Sequence, residues 1–192
     1  MNYLAHFHLA QAHDEWIVGG LLGDFVKGPL RGEYPPLWEE GIRLHRRIDA
    51  RSDSHPARQQ FARELPQAYR RYAAIVLDVC SDYWLSRNWQ QFDAQPLSRF
   101  AVRVYALLER HIDVMPEPAA RMAQRLIDHD VLGIYDRWDT VAASLERIGA
   151  RLRRDNPLHR AGAELPPLLA RGEQAFLAFY PDLMALAAER GE

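Results

Sequence analysis

Twelve prolines punctuate this chain, and the segments between them are mostly helix-length. Pro29, Pro35–Pro36, Pro56, Pro66, Pro96, Pro116, Pro157 and Pro166–Pro167 set off stretches rich in Ala, Leu, Arg and Glu, residues that lose little on entering a helix. Proline is tolerated at the start of a helix and disfavoured inside it. The spacing therefore predicts helices around 2–13, 15–27, 37–51, 56–64, 67–91, 97–113, 117–129, 137–154 and 164–189. In 137–154, Trp138, Val141, Ala142, Leu145, Ile148 and Leu152 recur at three- and four-residue steps, the signature of one apolar face. Strand-like alternation is absent: AIVLDV at 74–79 is the nearest candidate, and it sits inside a longer stretch that reads better as a buried helix. Pro181 should kink the last helix or begin a final short one. No repeat, low-complexity tract or long linker divides the 192 residues, which are enough to bury a substantial core. The expected fold is all-α, a helical bundle forming a single domain over 1–192.

Composition narrows the chemistry by exclusion. Cys80 is the only cysteine, so an intramolecular disulfide and a multi-cysteine zinc site are both ruled out. A net charge of −2 gives no overall field for nucleic acid or membrane. The opening MNYLAHFHLAQAHDEW lacks the cationic start and apolar core of a signal peptide, and no stretch is apolar enough to span a bilayer. A cytoplasmic enzyme is the expectation. Lys27 is the single lysine and the other cations are arginines, whose planar fork suits phosphate and carboxylate partners; the abundance of alanine fits a plain compositional bias equally well. There is no glycine-rich phosphate loop, no G-x-S-x-G elbow and no H-E-x-x-H pattern.

What remains is a set of imidazoles and carboxylates embedded in apolar segments: His6 and His8 in NYLAHFHLA, Asp24 in GGLLGDFVKG, His45 and Asp49 in GIRLHRRIDARSD, and Asp78 and Asp82 in IVLDVCSDYWL. A buried unpaired charge costs several kcal/mol, so each needs an arginine, backbone donors or a metal ion. His45 and Asp49 are one helical turn apart and share a face, and Asp78 and Asp82 repeat that spacing. Two helices presenting such pairs can cage a divalent cation, and a mixed imidazole–carboxylate set favours Mn, Fe, Mg or Zn. Surface capping or ion pairing explains any one pair as well. Asp53 and the Asp128–His129–Asp130 run read as turn or solvated positions.

Taken in order, MNYLAHFHLA, LLGDFVKG at 21–28, GIRLHRRIDARSDSHP at 41–56, IVLDVCSDYWLSRNW at 75–89 and FLAFYPDLM at 176–184 resemble the acyl carrier protein phosphodiesterases over nearly the whole chain. The resemblance implies removal of the 4′-phosphopantetheine arm from holo-acyl carrier protein to give the apo form. It also implies a helical fold related to the HD phosphohydrolases and dependence on a divalent metal, typically Mn²⁺. Carried over by position, it points to His6, Asp24, His45, Arg46, Asp49, Asp78 and Asp82. Relatives commonly have histidine where this chain has Tyr83, which a second-sphere position would accommodate.

The expected site is a metal held mainly by Asp24, His45 and Asp78 with Asp82 or His6 assisting, Asp49 orienting or deprotonating water, and Arg46 holding the phosphate. An acidic carrier would be steered by arginines, with Arg43, Arg47, Arg51, Arg70 and Arg71 as candidates. Two other readings fit the same residues: a hydrolase of nucleotides or another phosphodiester, and a non-catalytic carrier-binding module in which they are structural ion pairs.

Overall fold

A computed structural model describes residues 1–189. Among the described residues eleven α-helices form, in order: α1 (Tyr3–Leu9), α2 (Asp14–Leu22), α3 (Pro36–Ser54), α4 (Pro56–Glu64), α5 (Gln67–Arg70), α6 (Ala73–Arg87), α7 (Leu97–His111), α8 (Glu117–Asp128), α9 (Trp138–Arg151), α10 (Ala161–Glu164) and α11 (Leu169–Ala188). Short 3₁₀ turns join several of them, and no strand occurs among the described residues. The all-α expectation holds. No helix of the described residues is long and apolar enough to cross a membrane.

Prolines stand at the starts of five helices: Pro36 and Pro56 open α3 and α4, while Pro66, Pro96 and Pro116 immediately precede α5, α7 and α8. Each sits where its missing N–H has no helical partner to lose. The segment read as one helix over 67–91 is instead broken at 71–72 into α5 and α6. Tyr69 before the break and Tyr72 within it donate their hydroxyls to the carbonyls of Pro157 and Asp155, a tertiary tether with no local signal. The last segment starts late, because Pro166–Leu168 form a 3₁₀ turn, and α11 then continues through Pro181 without a second helix beginning there.

Helices α1 and α6 are buried along much of their length, with Leu4, Phe7, Val76, Trp84 and Leu85 in the core. Phe176 and Tyr180 of α11 stack at 4.7 Å between ring centroids, and Phe92 meets Tyr180 edge-on. Helices α2 and α3 approach through their backbones. A methyl group on Gly19 would lie 2.7 Å from the Gly41 Cα, and one on Gly41 would lie 2.9 Å from the Gly19 Cα. Only glycine at both positions permits that contact, which sets the end of α2 against the middle of α3.

Candidate metal centre

Three neighbouring elements supply the site: α1 carries His6, the turn after α2 carries Asp24, and α3 carries His45, Arg46 and Asp49. His45 is 4% exposed, and its seat is built from α2. Its Nδ1 lies 2.8 Å from the carbonyl of Gly20, which can only accept, so Nδ1 carries the proton and donates. Beside the ring is Gly23, where a side-chain methyl would come within 2.2 Å of the imidazole. Backbone bonding thus fixes the tautomer and turns Nε2 toward the carboxylates.

That Nε2 lies 3.2 Å from Asp49 Oδ2 and 3.7 Å from Asp24 Oδ1. The other Asp49 oxygen lies 3.1 Å from His6 Nε2. The two imidazoles stack with centroids 3.7 Å apart and planes 12° from parallel. His6, His45 and Asp49 each offer a ligand atom, and these atoms lie within 4.8 Å of one another. With Nδ1 protonated, a neutral His45 aims a lone pair at carboxylate oxygens, an arrangement that needs a proton or a metal cation between them. Burial, with His45 and the α-ammonium adding repulsion, drops the His6 pKa to about 3 and keeps that ring neutral, the form that ligates metal. His6 Nδ1 is buried without a hydrogen-bond partner. The donor set fits a divalent cation of the borderline class.

The two carboxylates differ in character. Burial would raise the Asp49 pKa, but hydrogen bonds to His45 and His6 and the nearby α-ammonium hold it well below the usual range. Asp24 is raised, by burial first and with Asp49 adding repulsion against the pull of His45. Asp24, His45, Arg46 and Asp49 line an open cleft of ≈ 320 Å³ together with Gly23, Val26, Lys27 and Gly28. Arg46 donates to the Val26 carbonyl at 2.8 Å, which holds its guanidinium over the turn. The sole lysine therefore shares a cleft with an arginine and the imidazole–carboxylate cluster.

The α-ammonium of Met1 lies 2.7 Å from Asp49 Oδ1 and 3.1 Å from Asp78 Oδ1, so the structure brings Asp78 to within one ammonium group of the cluster. Arg58, only 3% exposed, holds Asp78 at 2.7 Å and reaches Asp53 at 3.3 Å. Asp82 is engaged at the start of α1, where its two oxygens accept the backbone N–H groups of Leu4 and Ala5 at 2.9 and 3.0 Å. Tyr83 packs against Trp138 of α9, with Arg87 over its ring. Burial pushes the Cys80 thiol up to about 12, consistent with a core residue and not a nucleophile. Of the arginines expected to steer a carrier, Arg43, Arg47 and Arg51 are paired with Glu39, Glu189 and Asp182. Arg70 donates to the Leu65 carbonyl. Sequence reading did not place Lys27 or Arg58 near the site. Lys27 carried one usable signal, as the lone lysine three residues after Asp24.

Residues 1–183 match a family described as acyl carrier protein phosphodiesterase. Among curated proteins, the chain is 34% identical over 191 residues to an acyl carrier protein phosphodiesterase of Salmonella paratyphi A, which covers 99% of each chain. Proteins of the same name from Salmonella dublin and Salmonella agona are 35% identical over 195 residues, again covering 99% of each. No solved structure matches, so kinship with the HD phosphohydrolases has no structural counterpart to rest on.

Proposed function

Because the chain belongs to the acyl carrier protein phosphodiesterase family, we propose that it hydrolyses the phosphodiester joining 4′-phosphopantetheine to the serine of holo-acyl carrier protein, in the cytoplasm, with a divalent cation of the Mn²⁺ class. The observation that supports this is the adjacency of a His6–His45–Asp49 cluster to a cleft that also holds Lys27 and Arg46. His6, His45 and Asp49 would hold the cation, with Asp24 on the open side and Asp78 nearby. A bound cation of this kind lowers the pKa of water and offsets phosphoryl charge. Lys27 and Arg46 bind the phosphate oxygens, Arg46 from the fixed position its bond to Val26 gives it. Asp49, held well below the usual carboxylate range, is a poor proton acceptor. Asp24, whose basicity is raised and which faces the cleft, is the better group to take the proton from attacking water.

The test is to strip the protein with chelator, restore Mn²⁺, and follow the mass of holo-carrier. The carrier should lose its prosthetic group only with metal restored, and Asp24→Asn and His45→Ala should slow this about 10²–10⁴-fold. Turnover undiminished by chelation would remove the metal from the reading. Intact holo-carrier alongside cleaved nucleotides would mean a different phosphodiester is the substrate.

A further inference from the structure

A second cleft, of ≈ 370 Å³, opens between the end of α8 and the outer face of α9. Its lining includes Arg125, His129, Arg137 and Arg147, with Asp139 as its one carboxylate. Arg151 follows Arg147 by one helical turn. Some surface arginines elsewhere find acids: Arg103 binds Asp14 and Arg171 binds Glu64, each at close range. Arg125, Arg137 and Arg147 have no carboxylate partner within 4.0 Å among the described residues, and Arg147 donates only to the Ser144 hydroxyl. The Arg147 pKa is pushed down, by burial first and then by repulsion from Arg125 and Arg151. Like charges gathered around a single carboxylate destabilise one another in the free protein, and an arriving anionic surface relieves them.

The residues just before α1 tie this cleft to the candidate metal centre. The Asn2 side chain donates to the Tyr135 hydroxyl at 2.6 Å, beside the turn that lines the cleft. The preceding residue, Met1, places its α-ammonium 2.7 Å from Asp49 Oδ1, so two neighbouring residues at the start of the chain touch the turn beside the cleft and the candidate metal centre.

We propose that the Arg125–Arg137–Arg147 cleft is the surface on which the acidic face of the carrier protein docks while its phosphopantetheine arm reaches the Asp24 cleft. This rests on the carrier being the substrate. The arginines are spread over α8, α9 and the turn between them, which suits several carboxylates on a protein surface and not one small phosphate. Guanidinium forks match carboxylates bidentately, and the chain's net charge of −2 gives no general attraction for nucleic acid.

The experiment separates docking from chemistry by titrating apo-carrier, which lacks the arm, against the wild-type protein and Arg125→Glu/Arg147→Glu. The variant should bind apo-carrier at least about tenfold more weakly. Its KM for holo-carrier should rise by a similar factor with kcat within about twofold, and its KM should lose the salt dependence of the wild type. A control reversal at exposed Arg99 and Arg110 of α7 should change neither number. The milder Arg125→Gln/Arg147→Gln, checked by thermal melt, should show the same direction if the reversal perturbs folding. A wild-type protein that turns over holo-carrier, with all variants keeping its KM, overturns the docking surface and leaves the proposed reaction standing. A wild-type protein that neither binds apo-carrier nor processes holo-carrier overturns the proposed reaction itself.

Discussion

The His45 imidazole is constrained on two sides by glycine backbone: the Gly20 carbonyl accepts its Nδ1–H, and Gly23 leaves room for the ring. A methyl at position 23 would displace the ring and break its bond to Gly20, turning Nε2 away from Asp49 and Asp24. Gly23→Ala should therefore weaken Mn²⁺ binding about 10–100-fold, the usual cost of losing a bond that orients a metal ligand, and lower stability by about 1–3 kcal/mol through overpacking. Calorimetric titration with Mn²⁺ and urea unfolding would measure the two separately. Unchanged affinity would show that this seat does not set ligand geometry. The position was readable in the sequence only as the glycine before Asp24. That it faces His45, twenty-two residues on, depends on how α2 and α3 cross.

At the scale of elements, α1 is a seven-residue helix whose Asn2 side chain caps none of its amides. A distant carboxylate, Asp82 of α6, binds two of its first amides instead. Replacing Asp82 by alanine leaves two buried donors unpaired and should cost about 2–4 kcal/mol. The loss should persist in chelator, as read by urea midpoints; a loss seen only when Mn²⁺ is present would make Asp82 a ligand. Asp78–Asp82 and His45–Asp49 have the same spacing, and sequence could not tell them apart because spacing names the shared face and not what lies opposite it. Helix limits were clear where proline marked them, as at Pro56, and obscure where distant bonds intervene, as at Tyr69 and Tyr72. The arginines of α8 and α9 were equally hidden, since their grouping arises from packing across a turn.

For the whole molecule, buried titrating groups set the response to acid. Burial lowers His6 to about 3 and His8 to about 4, so the folded chain refuses protons that the unfolded chain binds below about 6.5. Stability from these two groups is full above 6.5 and falls as pH drops toward their folded values. Burial raises Asp82 to about 7, which acts in the opposite sense by keeping a proton the unfolded chain releases. Two imidazoles against one strongly shifted carboxyl leave a net slope. Metal-free protein should lose on the order of 1 kcal/mol per pH unit between about pH 6.5 and 5. Urea midpoints that stay level or climb over that range would contradict the burial of both rings. The contact of Gly19 with Gly41 has a mechanical consequence as well. With no cushion of side chains to compress or slide, α2 and α3 behave as one stiff jaw, and Asp24, His45 and Asp49 are teeth set in it. On the proposed metal reading, calcium, which gathers roughly six to eight oxygens in a yielding shell, would have to force that jaw apart, and main chain touching main chain would then limit ion size.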